Sequence, residues 1–220
     1  NSISHIGAVP VFVDVDEDLN INPDLIEKAI TKKTKAIMPV HLTGRVCEMN
    51  EIKRIADKYG IYIIEDAAQS IGSKYYNKFS GTFGEIGCFS AHPLKNLNAC
   101  GDAGFLITNN YQYYKKIILL RNHGLENRNL VKNFGFLSRM DVLQAKILNF
   151  RLDSFKKIIL KRRKNASFYL KNINRKFYKL MNEKKYQFNT YHTFVVQTNY
   201  REELIRYLKK NRIETAIHYP

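Results

Sequence analysis

Cysteine is scarce. Cys47, Cys88 and Cys100 are three in 220 residues. None forms a CxxC pair or sits in a Cys/His cluster, so neither a disulfide framework nor a metal site is indicated, and the thiols read as reduced, in a cytoplasm. No apolar run approaches the roughly 18 residues that a membrane-crossing helix needs. The longest, Val9–Val13 and Ile61–Ile64, are strand-sized, so no membrane insertion is expected. No basic stretch followed by an apolar one opens the chain, and no secretory signal is read there. GxGxxG after a strand is missing and so is GxxxxGK(S/T), which argues against a Rossmann or P-loop nucleotide site. Acidic residues are short in one half only. Residues 1–110 carry 11 Lys/Arg against 13 Asp/Glu, a net of −2, whereas residues 111–220 carry 25 against 7, a net of +18. A basic half suits nucleic acid, a membrane surface or a phosphorylated small molecule. The favoured reading is compositional, with lysine filling solvated helix faces, and no nucleic-acid partner is expected.

What is present alternates. Val9–Val15, Ala36–Val40, Ile61–Ile64, Gly87–Ser90 and Gly104–Thr108 read as strands. Asn22 caps a helix that has Pro23 at its first position. Met49, Ile52, Ile55, Ala56 and Tyr59 recur at helical spacing, and Gly60 follows as a stop. Strands separated by helices predict βαβ units and a mostly parallel α/β/α sheet, with Ile61–Ile64 central. Further on, Tyr111–Arg121, Met140–Ile158, a basic Arg162–Leu180 and Glu202–Lys210 read as helices, and Thr193–Gln197 as a strand. The division expected is a large domain over 1–140, then connecting helices and the first part of a small α+β domain over 141–220. No repeat, low-complexity segment or Pro/Gly-rich linker interrupts it.

Ligands of such sheets gather at the carboxyl ends of the strands. His41, Glu65–Asp66 and Ser90 stand just past those ends. A carboxylate such as Asp66 needs a cation or several donors to stay ionised there; taken alone, a cap or a salt bridge is the plainer reading. Lys95, between two strands, is either an ordinary exposed lysine or an amine that forms a Schiff base. His41 is as readily a hydrogen-bonded structural histidine as a ligand contact. Arg121 and His123 suit substrate phosphates or a turn; Arg139 with Asp141 suits a salt bridge. Cys88 and Cys100 read as packing residues.

Together these residues carry a resemblance. Glu65-Asp-Ala-Ala-Gln-Ser70, Gly87-Cys-Phe-Ser90, His92-Pro-Leu-Lys-Asn-Leu97 and Gly101-Asp-Ala-Gly104 resemble the DegT/DnrJ/StrS nucleotide-sugar aminotransferases, fold-type I pyridoxal-phosphate enzymes. Gly7–Asp14, Pro39–Gly44, Leu120–Gly124, Ser138–Asp141 with Gln144-Ala145, and Ile217–Pro220 match in the same order.

The resemblance implies that Lys95 holds pyridoxal 5'-phosphate as a Schiff base and moves the proton between substrate and cofactor carbons. Asp66 then pairs with the pyridinium nitrogen and keeps the ring an electron sink. Gln69 lies near the ring's phenolic oxygen and Ser90 bonds the phosphate. His41, His92, Asn96, His218 and Tyr219 are candidates for supporting or substrate contacts. The implied reaction moves an amino group from glutamate or glutamine to a nucleoside-diphosphate keto sugar, for lipopolysaccharide, other surface glycans or antibiotics, in a homodimer with sites at the subunit boundary. A related sugar dehydratase has histidine in place of the Schiff-base lysine, and Lys95 argues against it. Leu137 stands where the family commonly has an asparagine that reaches the partner's cofactor phosphate, a bond leucine cannot make. The chain starts at Asn1 and stops at Pro220, without the family's earlier phosphate-binding turn. It is therefore expected to be a piece of a longer enzyme, and an inactive or regulatory fragment is the alternative.

Overall fold

The computed structural model describes residues 1–218, so the Tyr219 expectation lies outside the described residues. Helix α1 (Ser2–His5) is a single turn, and the strand expected over Val9–Val15 does not form: only Val15 makes a bridge, to Ile21. Val9, Val11 and Phe12 are exposed, because no described strand lies beside them to pair their backbone. Helix α2 (Pro23–Ala29) starts as its sequence predicts, with the Asn22 side chain accepting from Asp24 N–H at 2.9 Å. Strand β1 is only Ala36–Ile37, with Val40 adding an isolated bridge to Asp66. Pro39 shortens it, having no N–H to give to a ladder.

Helix α3 (Met49–Tyr59) buries Met49, Ile52, Ile55 and Ala56 and ends at Gly60, which has the left-handed φ of +62° that the helix stop requires. Strand β2 (Tyr62–Asp66) follows, then a small hairpin of β3 (Lys74–Tyr75) and β4 (Lys78–Phe79), then β5 (Ile86–Ser90) and β6 (Gly104–Ile107). Four strands form the main sheet in the order β1-β2-β5-β6. The β1/β2 and β2/β5 pairs are parallel and β5/β6 is antiparallel, so the sheet is mixed and mostly parallel with β2 inside it, as the alternation predicts.

Beyond the sheet, α4 (Tyr111–Leu120) is capped by Asn110, and β7 (Leu125–Asn127) and β8 (Leu130–Val131) make a hairpin. Two expected helices are then one. Helix α5 runs unbroken over Val142–Asn172, and the expected continuation to Leu180 is instead irregular chain ending in β9 (Lys179–Leu180). No proline or glycine falls between 142 and 172, so nothing breaks the first helix before the second begins. Strands β10 (Gln187–Phe188) and β11 (Val196–Gln197) and helix α6 (Arg201–Lys210) complete the described chain. β10 pairs antiparallel with β3, and the chain just after it bonds to the Thr43–Gly44 turn, so backbone pairing crosses position 140.

One buried carboxylate ties these pieces together. Glu65, fully buried on β2, accepts from His41 Nε2 at 2.9 Å, Gly81 N at 2.7 Å, Phe83 N at 2.6 Å and Gly84 N at 2.7 Å. Cys47 N–H donates to His41 Nδ1 at 3.2 Å, which leaves the ring proton on Nε2, facing Glu65. Burial pushes the carboxyl up, but the His41 bond and the backbone N–H groups outweigh it and hold Glu65 below the ordinary value of 4.5.

Replacing Glu65 by leucine strands four donors and is expected to cost roughly 3–5 kcal/mol at neutral pH, read by urea unfolding. The pH dependence has a definite sign. A depressed folded value makes the Glu65 contribution complete above the unfolded value and lost as pH falls through the folded one. The wild type should therefore lose stability below about pH 4.5 more steeply than Glu65→Gln does; parallel curves would refute the role. Gly87→Ala tests the same region: a Cβ there meets the Gly81 backbone Cα at 2.5 Å and its carbonyl oxygen closer still. About 1–3 kcal/mol of destabilisation is expected in the same assay.

Candidate active site

Two strand ends lie side by side, and a loop from one of them carries Lys95. Asp66 ends β2, and Ser90 ends β5, its parallel neighbour, with Asp66 in register with Cys88. Lys95 lies in the loop 91–103 that joins β5 to β6. The loop is held from inside by Ala91, Leu97 and Ala99, which are buried with Leu148 of α5. It is held at its rim by Arg151 Nη1, which donates to Asn98 O at 2.6 Å, and by Gln144 Oε1, which accepts from Cys100 N–H at 2.8 Å. A long loop clamped along its length by one helix presents Lys95 in a fixed place.

Burial lowers the Lys95 amine below its ordinary value of 10.5, and the Asp66 charge opposes that shift without cancelling it. No carboxylate of the described residues forms an ion pair with it. Asp66 Oδ1 accepts from Ala68 N–H at 3.0 Å, which fixes its direction and leaves lone pairs for another donor. Gln69 Oε1 accepts from Thr43 N–H at 2.7 Å, tying it to the turn after β1. Thr43 is nearly buried at a φ of +62°, which a β-branched residue rarely adopts. A strained residue of this kind persists where neighbours over-determine it, and here Gln69 and the 189–192 segment do so. Ser90 Oγ accepts from His92 N–H at 3.3 Å.

The sequence's other candidates divide. His41 belongs to the Glu65 network and is fully buried, so it faces no ligand directly. His92 is half exposed, its Nδ1 accepting from Leu94 N–H and its Nε2 3.9 Å from Asp102. Asn96 is buried, donates to Thr190 O at 3.4 Å, and has a side-chain oxygen with no partner. His218 lies within electrostatic reach of His192. The main chain at Arg121 and His123 forms a turn: Arg121 O accepts from Ser138 N–H and His123 N–H donates to Phe136 O. No ion pair joins Arg139 to Asp141 among the described residues; both are exposed, where such a pair gains little. Cys88 is half-buried, its thiol pushed up to about 11 by burial and by Asp66 and Glu65. Cys100 is exposed, contrary to its reading as a packing residue, because Gln144 holds its backbone at the rim.

Sequence reasoning passed over His192, Thr43, Arg151 and Arg162. Arg162 of α5 donates from Nη1 to Tyr191 O and His192 O, both at 3.1 Å. His192 N–H donates to Thr43 O at 2.8 Å, and the His192 Nδ1 is buried with no partner. Nothing in the local pattern of a Tyr-His-Thr-Phe run marks it; only the return of the chain to Thr43 does.

The donor set fits pyridoxal phosphate: an amine with no ion pair, a carboxylate beside it, an amide and a hydroxyl at adjacent strand ends. The whole chain, residues 1–220, matches the profile of the DegT/DnrJ/EryC1/StrS aminotransferase family. It is 38% identical over 223 residues to a pleiotropic regulatory protein of Geobacillus stearothermophilus, covering 100% of this chain and 60% of that one. It is 41% identical over 222 residues to the dTDP-3-amino-3,6-dideoxy-alpha-D-galactopyranose transaminase of Aneurinibacillus thermoaerophilus, covering 100% and 61%. Its fold overlays that of NtdA from Bacillus subtilis, solved with bound cofactor PMP, with a TM-score of 0.92 at 34% identity, over 100% of this chain and 52% of that one. The chain thus spans about 60% of the length of the curated relatives it matches. It belongs to the DegT/DnrJ/EryC1/StrS aminotransferase family.

Proposed function

We propose that the protein of which this chain is part transfers an amino group from glutamate or glutamine to a nucleoside-diphosphate keto sugar, with pyridoxal phosphate as cofactor. The carrying observation is Lys95, half-buried and lowered by burial, on a loop clamped between β5 and α5 and beside Asp66. Lowering the amine frees its lone pair to attack a carbonyl. Bound there, pyridoxal phosphate supplies an electron sink for the negative charge left when a carbon loses its proton. Asp66 would pair with its ring nitrogen and favour the protonated form, Gln69, tied to the Thr43 turn, would lie beside the ring, and Ser90 would donate to its phosphate. Lys95 Nζ would be the group that carries the proton between substrate and cofactor carbons. His92, Asn96 and His218 support or line this pocket. The large domain of 1–140 provides the cofactor side, and 141–220 the connecting helix and part of the small domain. A cytoplasmic biosynthetic role in lipopolysaccharide or another amino-sugar glycan accords with the transaminase relative. Among the described residues no helix is long and apolar enough to cross a membrane.

A second reading, a regulatory protein that keeps the cofactor pocket, is favoured by the regulatory relative at 38% identity. Both readings include a homodimer. Supporting it, Phe134, Phe136, Val142, Leu143 and Phe150, all within residues 134–150, are 100, 69, 85, 69 and 77% exposed, and large exposed apolar side chains are what an interface covers. Leu137, 62% exposed in the same stretch, cannot supply a side-chain hydrogen bond across such a boundary.

Folded protein mixed with pyridoxal phosphate should show a visible band, and borohydride reduction should place the label on Lys95 by peptide mass. Lys95→Ala should abolish the label, and Asp66→Asn should lower transamination by two orders of magnitude or so while leaving the label. A folded chain with no Lys95 label would refute the cofactor reading; a label without amino transfer to any nucleotide keto sugar would favour the regulatory one. Light scattering should give twice the chain mass, and a monomer at micromolar concentration would refute the dimer.

A further inference from the structure

Around His192 the structure gathers positive charge, and neither Arg162 nor Lys95 forms an ion pair among the described residues. Arg162 is half-buried, takes part in no ion pair among the described residues, and spends Nη1 on the carbonyls of Tyr191 and His192. Lys95 and His218 lie within electrostatic reach of the imidazole, and Asp66 acts on Lys95. The backbone is fixed: Thr190 N–H donates to Gly44 O at 3.0 Å, His192 N–H to Thr43 O at 2.8 Å, and Asn96 Nδ2 to Thr190 O at 3.4 Å. Set into this frame, His192 Nδ1 is buried with no partner among the described residues. Buried charges and buried ring nitrogens are ordinarily paired. The missing partner here is an anion.

We propose that His192 and Arg162 form an oxyanion subsite beside Lys95, which takes a carboxylate or phosphate group of the substrates. This rests on the reading of Lys95 as the cofactor amine, since that places reacting substrate next to the imidazole. Inorganic phosphate stands for the nucleotide sugar's phosphates and L-glutamate for the donor's carboxylate. Burial first, then the charges of Lys95, Arg162 and His218, push the imidazole down to about 4. An anion seated on it reverses the electrostatic part of that push, so binding and protonation of His192 are linked. The subsite is thus empty of charge on the ring until an anion arrives, and the ring then becomes a second donor.

The test reads the His192 ring by NMR in the full chain without cofactor, titrated with and without each anion. Its midpoint should start well below the ordinary histidine value and rise by about one unit or more with saturating anion, equivalent to about tenfold tighter anion binding to the protonated ring. A rise with L-glutamate alone assigns the donor's carboxylate, and a rise with phosphate alone a substrate phosphate. Arg162→Gln should abolish the rise, and Lys157→Gln, on the exposed side of α5, should leave it. If Arg162→Gln fails to fold, the wild-type titration decides by itself. No rise with either anion overturns the subsite, as does an equal loss in Lys157→Gln, the mark of general attraction to a basic surface. Repeating the phosphate titration after loading with pyridoxal phosphate separates the sources: persistence is expected, and loss would hand the site to the cofactor's own phosphate and overturn the proposal. Absence of a Lys95 label with a normal His192 response would sink the cofactor reading and spare the subsite; the converse would do the opposite.

Discussion

The Glu65 carboxylate is the constraint on which the sheet and the site both depend. A buried charge is tolerated only when its lone pairs are filled, and filling them requires three backbone N–H groups of the 81–84 turn and the His41 ring to arrive together. The turn is thereby fixed against β2, the chain after β1 against the chain before α3, and Asp66, the next residue, is aimed past the end of the sheet. Gly81 and Gly87 pack backbone to backbone beside it, too close for a side chain on Gly87. Asp66 has no such cage. Among the described residues its carboxylate accepts one hydrogen bond, from Ala68 N–H, so a filled and a largely unfilled carboxylate stand side by side on one strand.

Local signals in the sequence carried local structure well. Asn22-Pro23 and Gly60 mark helix ends by mechanisms confined to a few residues, and both helices stand where those residues put them. The two-sided apolar Ile61–Ile64 is the inner strand it reads as. Where the outcome depends on a distant partner, the reading falters. Val9–Val15 has the pattern of a strand, but pattern alone supplies no neighbour for its backbone. Met140–Ile158 and Arg162–Leu180 read as two helices, although charge does not break a helix and no Pro or Gly falls between Val142 and Asn172.

The candidate site divides in the same way. Asp66, Gln69, Ser90 and Lys95 fall within 30 residues of chain, so the motifs that suggest them also hold them, and the resemblance to a family named their roles. His192 and Arg162 reach the same place through a return of the chain to Thr43 and Gly44, a contact separated by well over a hundred residues. No spacing rule spans that distance. His41 shows the same limit: its place after a strand suited a structural histidine as well as a ligand contact, and Glu65, which takes its ring, decides for the structural one.

The basic half of the chain resolves along α5 into two kinds of cation. Lys146, Lys156, Lys157, Lys161, Lys164 and Lys171 are all exposed. Arg151, Arg162 and Arg163 are half-buried, and each gives an Nη1 to backbone carbonyls: Asn98, then Tyr191 and His192, then Asn189. Arg163 also pairs with Glu183 at 2.7 Å and lies over the Phe188 ring at 4.0 Å. The division follows from chemistry. A guanidinium is weakly hydrated and presents a planar fork of donors, so it can be drawn inward to satisfy carbonyls; an ammonium is a strongly hydrated point charge that stays in water. The lysines thus account for most of the charge on this helix and contact little, whereas the arginines fasten the Lys95 loop at one point and the His192 segment at two. The large positive charge is for the most part solvated surface. A small fraction of it is turned inward, where three guanidinium groups let one helix hold the Lys95 loop and the 189–192 segment at once.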